Sequence, residues 1–170
     1  KLEITPELCR LLGYYVSEGG SSKGDKITLS FGKNDIENEI VDDALACVAN
    51  VFGIPVLQQF KRNPITNEIN GVSVQFGGRL LSIIFSELLG SGKSALTKEV
   101  PYVLFNVKDE LKLEFLKGYL RGDGTIRIRK TLNRKHWSTE ISAKTVSRKL
   151  ASDLILLSLR LYFSITPKRI

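Results

Sequence analysis

The sequence is poor in the residues that most disulfide and metal sites use. Its 170 residues include one histidine, two cysteines and no methionine. Cys9 and Cys47 are too few for a disulfide framework, and with a single histidine their use as metal ligands is disfavoured. A run of about 18 apolar residues, as a transmembrane helix needs, is also missing. The composition predicts a soluble, cytoplasmic protein with two buried free thiols.

Positive charge is present, but it is concentrated in one part of the chain. The formal net charge is +7 overall. Residues 1–90 contain 8 basic against 11 acidic residues, whereas residues 91–170 contain 17 against 7. A bias of this size favours a polyanionic partner, although a basic half can also be a solvated face.

Hydrophobic periodicity predicts two copies of one structural unit. In the first copy we expect a helix at 6–18, a strand at 26–33, a helix at 34–52, strands at 56–61 and 69–76, and a helix at 79–89. In the second copy we expect a helix at 108–121, strands from "TIRIRK" and "STEISAK", and a helix at 146–161.

The copies are expected to occupy residues 1–90 and 108–170, with a flexible linker at 91–107. The second copy lacks its last hairpin and helix, which predicts that the chain is a piece of a longer polypeptide with an unpaired sheet edge.

Each copy opens with a helix that carries two small residues four positions apart. These are Gly13 and Ser17 in the first copy and Gly118 and Gly122 in the second. Residues four apart lie on one face of a helix, and small residues there let two backbones approach closely. We therefore expect these four residues to form a helix interface.

An acidic residue follows each pair of small residues, Glu18 in the first helix and Asp123 in the second. A carboxylate at a helix C-terminus meets the negative end of the dipole, and two nearby carboxylates repel each other. A magnesium ion would reverse both effects, because carboxylate and carbonyl oxygens are its preferred ligands. With a polyanion as partner, the pattern favours metal-assisted hydrolysis of a phosphodiester.

Two nine-residue segments, "LLGYYVSEG" at 11–19 and "LKGYLRGDG" at 116–124, resemble the signatures of the LAGLIDADG homing endonucleases. Glycine is third, the acid eighth and glycine ninth in both. The residues of these two segments are similar to those of family members embedded in archaeal inteins. The resemblance implies an α+β fold, a pseudo-twofold pair of αββαββα repeats whose antiparallel sheets form a DNA-binding saddle, with the second repeat truncated.

The resemblance further implies a monomeric, site-specific DNA endonuclease that makes a double-strand cut in a long recognition site. Glu18 and Asp123 would bind Mg²⁺, together with backbone carbonyls that the sequence does not identify, and Ca²⁺ would bind without supporting cleavage. Lys33 and Lys144, at the ends of strands, would organise the attacking water. Lys117 departs from the family pattern, which usually has a small or apolar residue there, and puts the packing beside it in doubt.

Polar side chains that project from the strands are expected to contact double-stranded DNA, since such residues suit base edges and phosphates. The residues are Lys26, Thr28, Ser30, Gln59, Lys61, Ser73, Gln75, Arg127, Arg129 and Lys130. The loop residues Arg134, Lys135, His136 and Trp137 are expected to contact the DNA backbone. For any single one of these, a solvated surface is the alternative.

Two other functions remain open at this stage. A catalytically inactive DNA-binding regulator, or an RNA maturase assisting intron splicing, would keep the fold without cleavage. A protein-interaction domain would bind no nucleic acid. The segment "GSGKS" at 90–94 does not indicate a nucleotide-binding loop, because Glu87 stands where the pattern requires glycine.

Overall fold

The computed structural model describes residues 2–22, 26–37, 39–130 and 137–162. Within these ranges, residues 22, 37, 129, 130, 137 and 138 are described by their backbone alone. In the described ranges, no helix is both long and apolar enough to cross a membrane.

Helices and antiparallel strands alternate along the chain. The α-helices are α1 (Pro6–Glu18), α2 (Lys33–Glu37), α3 (Ile40–Phe52), α4 (Arg79–Ile83), α5 (Asp109–Asp123) and α6 (Arg148–Arg160). A π-helix (Ile84–Leu88) continues α4, and short 3₁₀ helices lie at Ala95–Thr97 and Tyr102–Asn106. The strands are β1 (Gly19–Ser22), β2 (Lys26–Gly32), β3 (Val56–Arg62), β4 (Ile69–Phe76), β5 (Gly124–Lys130) and β6 (Trp137–Ala143). The fold class is α+β, as predicted. The order helix, strand, strand, helix occurs in both halves, while their pseudo-twofold relation stays a prediction.

A four-stranded sheet in the order β1-β2-β4-β3 forms the centre of the first half, and β5 pairs with β6 in a separate sheet. All strand pairs are antiparallel. One face of the larger sheet is apolar, because alternate residues of β2 and β4 point the same way. Its buried side chains are Ile27, Leu29, Phe31, Val72, Val74 and Phe76. They join one core with α1, α3 and α5.

Two local predictions need correction. The helix expected at 34–52 is divided into α2 and α3. Between them, the backbone of Glu39 adopts the left-handed conformation, with φ 57°. No sign of this break is visible in the sequence because the apolar periodicity continues across it, and the buried side of α3 still faces the core. Strand β1 was missed, since its sequence GGSS has no apolar alternation; it forms by pairing with β2.

The segment at 91–107, predicted to be a flexible linker, is packed against both halves. Lys98 is 2% exposed, and Val100 and Leu104 are also buried. The Tyr15 hydroxyl donates to the carbonyl oxygen of Gly92 at 2.7 Å, and the Ser147 hydroxyl donates to the carbonyl oxygen of Lys98 at 2.6 Å. These contacts tie the segment to α1 and to the N-terminus of α6, so it is packed into the fold, while its role as a boundary between two repeats stays a prediction.

Helices α1 and α5 touch through their backbones. A Cβ atom built on Gly13 would lie 2.3 Å from the carbonyl oxygen of Phe115, and one built on Gly118 would lie 2.2 Å from the carbonyl oxygen of Arg10. No side chain fits at these distances. We call the α1–α5 contact centred on Gly13 and Gly118 the seam.

An ion-pair network beside the seam joins three helices. Arg10 donates to Glu114 at 2.5 Å and to Asp43 at 2.6 Å. Asp43 also accepts from the Tyr14 hydroxyl at 2.6 Å and from Arg121 at 2.8 Å. Although partial burial opposes it, the hydrogen bonds from Tyr14 and Arg10 hold the pKa of Asp43 below its usual value. The network fixes α3 against both seam helices.

The seam predicts a large difference between two glycine substitutions. Gly118→Ala should lower the free energy of unfolding by about 1–3 kcal/mol or more, because the methyl group forces the helices apart. Gly32→Ala is the control, since the nearest atom to its Cβ would be Asp35 Oδ2 at 3.6 Å. It should change stability by about 0.5 kcal/mol or less. Urea unfolding of both variants measures this, and equal losses would contradict a seam held by close backbone contact.

Candidate active site at the end of the seam

The two predicted acidic residues lie side by side where the seam ends. A Cβ atom on Gly122 would be 2.3 Å from Ser17 Oγ and 3.0 Å from Glu18 Cγ. The Glu18 side chain therefore lies against the α5 backbone, one residue before Asp123. The four small residues predicted to form a helix interface do lie together in the structure. Because each acid directly follows its pair of small residues, the two acids are close to each other as well.

A glycine follows each acid because the chain passes directly from helix to strand. The amide of Gly19 donates to the carbonyl of Tyr15, and the amide of Gly124 donates to that of Leu120. A Cβ atom on Gly124 would lie 2.0 Å from the Leu120 carbonyl oxygen. A side chain would block this turn, so each acid is held at the junction between its helix and its strand.

Burial makes both carboxyl groups hard to ionise, and the charge of Asp123 adds to the effect at Glu18. Desolvation, with further contributions from the charges of Asp123 and Asp35, raises the pKa of Glu18 to about 7 from an ordinary 4.5. Desolvation raises the pKa of Asp123 to about 6 from 3.8, and the charge of Lys98 partly opposes it. Such shifts are typical of functional sites, where burial and close charges move pKa values away from their ordinary range.

Lys98 is a third charged group at this place, and sequence reasoning missed it. Its ammonium donates to the carbonyl oxygen of Tyr15 at 2.6 Å and lies 3.4 Å from the centre of the Tyr15 ring. Desolvation lowers the pKa of Lys98 to about 7, although the charge of Asp123 raises it. No periodicity marks this residue, because it follows a short 3₁₀ turn in a connecting segment.

The donor set fits a divalent cation with an incomplete protein shell. In the ranges that the structure describes, no group of three or more histidine, cysteine or acidic residues could hold a metal ion. Glu18 and Asp123 supply two carboxylates that repel each other, and a cation between them would relieve that repulsion. Backbone carbonyls, water and phosphate oxygens can complete a magnesium shell.

The predicted water-organising lysines stand at the ends of their strands, as expected. Lys33 is the first residue of α2, directly after β2, and Lys144 follows β6. Both are exposed. Their part in catalysis stays a prediction, whereas the lysine whose charge acts on Asp123 is Lys98.

Lys117, which departs from the family pattern, does not disturb the seam. Its ammonium lies 3.8 Å from Glu114, and 42% of its side chain is exposed. The segment at 90–94 has no nucleotide-loop geometry: it follows a helix, and Lys93 pairs with Glu87 at 2.5 Å.

Most residues predicted to contact DNA lie on the sheet surfaces. Lys26, Gln59, Lys61 and Arg127 are exposed, and Thr28, Ser30 and Gln75 are partly buried. Ser73 is 8% exposed, so the prediction of an open position is wrong there. Its strand is central, and Ser73 lies between its cross-strand partners Ser30 and Gln59.

The remaining predicted contacts are described only in part. Arg129, Lys130 and Trp137 belong to β5 and β6, but their side chains are not described, and Arg134, Lys135 and His136 lie outside the described residues. On the described part of this sheet, Arg127 is directly opposite Glu140.

Comparison with known proteins gives a family match in the second half. Residues 110–169 match the model of a LAGLIDADG-like domain. Protein MJ1054 of Methanocaldococcus jannaschii, which is uncharacterized, is 33% identical over 165 residues, or 92% of this chain and 17% of that protein.

Two proteins of Thermococcus kodakarensis are similar as well. The DNA polymerase II large subunit is 33% identical over 119 residues, which are 69% of this chain and 6% of the subunit. The ATP-dependent DNA helicase Hel308 is 30% identical over 159 residues, which are 92% of this chain and 13% of the helicase. The chain thus spans less than a fifth of the curated relatives it matches.

The family match covers α5, which carries the second signature, and the first signature lies on α1 across the seam. Together with the α+β architecture, these findings show that the chain belongs to the LAGLIDADG family.

Proposed function

We propose that this protein is a site-specific DNA endonuclease that uses Mg²⁺ to cut both strands of a long recognition site. The observation that carries the proposal is the pair of desolvated acids, Glu18 and Asp123, at the end of the seam. Their placement opposes their own ionisation, which is costly for a structural feature and useful for a metal site. The basic character of residues 91–170 supports a polyanionic substrate.

Each residue of the site has a distinct part in the proposed reaction. Glu18 and Asp123 would hold Mg²⁺, which supplies Lewis-acid activation of water and of the scissile phosphate when bound. The buried ammonium of Lys98 holds a proton beside Asp123, and its charge favours the ionised form of Asp123 that would bind the metal. The seam keeps the acids at fixed separation, and the sheets position the DNA across them.

Similar segments occur in proteins of different function, which supports an activity that is independent of the longer proteins that contain the segment. One similar segment occurs in a polymerase subunit and another in a helicase, and the matched region is 6% and 13% of these chains. Polymerisation and unwinding share no such catalytic unit, so the common segment has a function of its own. A DNA endonuclease embedded in longer proteins, as in inteins, accounts for this distribution.

Asp123→Asn should abolish cleavage and retain DNA binding. The amide keeps the volume of the carboxylate but removes its charge, so the metal site loses a ligand while the sheets are unchanged. Cleavage of a duplex library with Mg²⁺, together with gel-shift binding in EDTA, measures both properties. Glu110→Gln, on the exposed start of the same helix, should cleave like the wild type.

A catalytically inactive DNA-binding regulator or an RNA maturase would give a different result. Wild-type protein would then bind nucleic acid without cutting DNA, and Asp123→Asn would behave like the wild type in every assay.

Mg²⁺ should stabilise the protein more at about pH 7 than at about pH 5. Both acids have raised pKa values in the folded state, so the folded protein binds more protons than the unfolded chain in this window. In EDTA the free energy of unfolding therefore falls as the pH rises from about 5 to about 7. Mg²⁺ competes with these protons and offsets the loss. The lowered pKa of Lys98, about 7, has the opposite sign and begins to offset this fall at the upper end of the window.

Urea unfolding at both pH values, with EDTA and with Mg²⁺, measures this linkage. Glu18→Gln should reduce the pH-dependent part of the Mg²⁺ effect to the smaller contribution of Asp123, whereas Glu110→Gln should keep it in full. An Mg²⁺ effect of equal size at both pH values would contradict metal binding by these carboxylates.

Lys98→Met should lower the cleavage rate by about 100-fold or more while DNA affinity in EDTA stays within about threefold of the wild type. Methionine fills a similar space without the charge, and Lys98 is too deeply buried to contact bound DNA directly. Lys93→Met is the matched control, because Lys93 belongs to the same segment but is exposed. Single-turnover cleavage measures the rates, and full activity of Lys98→Met would exclude a role for this lysine.

A further inference from the structure

Each signature has a tyrosine at its fourth position, Tyr14 on α1 and Tyr119 on α5. The Tyr14 hydroxyl donates to Asp43 at 2.6 Å and accepts from Arg121 at 3.2 Å. Tyr119 is 1% exposed, and within the described part of the chain its hydroxyl has no hydrogen-bond partner. Equivalent tyrosines of the two halves therefore have hydroxyl groups in different environments.

The packing of Tyr119 explains its ring but not its hydroxyl. The ring stacks on Phe115, with the ring planes 8° apart and the ring centres 6.4 Å apart. Phenylalanine would make the same contact without a polar atom, and burial of a hydroxyl without a hydrogen bond destabilises a protein. Buried polar atoms of this kind are typically bonded to an ordered water.

The Tyr119 hydroxyl lies close to Asp123. The two residues are four positions apart on α5, so they share one face of the helix. Burial raises the pKa of Tyr119, and the charge of Asp123 raises it further. The two groups thus interact through their charges, although no hydrogen bond joins them directly.

Lys98 is a second buried donor beside Asp123. One of its three N–H groups donates to the carbonyl oxygen of Tyr15 at 2.6 Å. Its charge acts on Asp123. A water at this place can accept from Tyr119 and from Lys98 and donate to the carboxylate, which gives it the three hydrogen bonds that are typical of buried water.

We propose that Tyr119 is a positioning residue for Asp123, because its hydroxyl holds an ordered water that donates to one oxygen of the Asp123 carboxylate. The water restricts rotation of the carboxylate and leaves the second oxygen for the metal. Carboxylates that ligate metals are commonly hydrogen-bonded in this way, and loss of the contact lowers metal affinity or activity by about 10–100-fold. The proposal rests on the Mg²⁺ site proposed above and adds a residue that does not touch the metal.

Tyr119→Phe should lower the affinity for Mg²⁺ by about tenfold, because the carboxylate is no longer held by the water. It should raise the equilibrium constant for unfolding by about fivefold or less, since only a bond to water is lost. Calorimetric titration of the full chain with Mg²⁺ measures the affinity, and urea unfolding in EDTA measures the stability.

Tyr14→Phe is the matched control and should show the reverse pattern. It removes the same atom from the equivalent position, but there the hydroxyl is bonded to two charged groups, Asp43 and Arg121. The equilibrium constant for unfolding should therefore rise by about tenfold or more. Affinity for Mg²⁺ should stay within about threefold of the wild type, because these partners belong to the ion-pair network and not to the acidic pair.

A high-resolution crystal structure of the metal-free protein tests the water itself. A water should lie within about 3.2 Å of both the Tyr119 hydroxyl and an Asp123 carboxylate oxygen, and Tyr119→Phe should lack it. If no water bridges the two groups in the wild type, the proposal is wrong.

The binding results distinguish this proposal from the function on which it rests. If the wild type binds no Mg²⁺, the metal site of the proposed function fails, and the positioning role fails with it. If the wild type binds Mg²⁺ and Tyr119→Phe binds it equally well, the positioning role is wrong and the endonuclease proposal is unaffected. A loss of stability in Tyr119→Phe as large as that in Tyr14→Phe would show a purely structural hydroxyl and would also overturn the proposal.

Discussion

The close approach of α1 and α5 is the constraint on which the rest of the molecule depends. Carbonyl oxygens of each helix lie where a side chain of the other would have to be, so only glycine fits at Gly13 and Gly118. Because the helices touch along their backbones, the residues at their ends are fixed relative to each other with little freedom to adjust. The ion-pair network around Asp43 holds a third helix against this pair.

The electrostatics of the site follow from that geometry. Glu18 and Asp123 lie close together and are partly removed from water, and burial is the first cause of both raised pKa values. The nearby cation, Lys98, is itself destabilised in its charged form by burial. Three ionisable groups whose charged forms are disfavoured by burial in one place are hard to explain by stability alone. Binding of a divalent cation and a phosphate would compensate all three charges at once.

The sequence predicted the elements and the paired acids because both leave local signals. Alternation marked β2 and β4, helical spacing marked α1 and α5, and the small residues at Gly13 and Gly118 marked the seam. Lys98 could not be found in this way, since its importance comes from contacts with Tyr15 and Asp123, distant in sequence. The break at Glu39 was missed because the apolar periodicity continues across it. The burial of Ser73 depends on strand order, which local patterns do not contain.

The packed segment at 91–107 has a consequence for communication between the two halves. Its backbone accepts a hydrogen bond from Tyr15 at Gly92 and another from Ser147 at Lys98. Any displacement of α6 would therefore be transmitted through only a few bonds to the ammonium beside Asp123. Strain imposed on the second half when its sheet engages a ligand thus has a short mechanical route to the paired acids, and in the proposed endonuclease this route would make cleavage conditional on correct engagement.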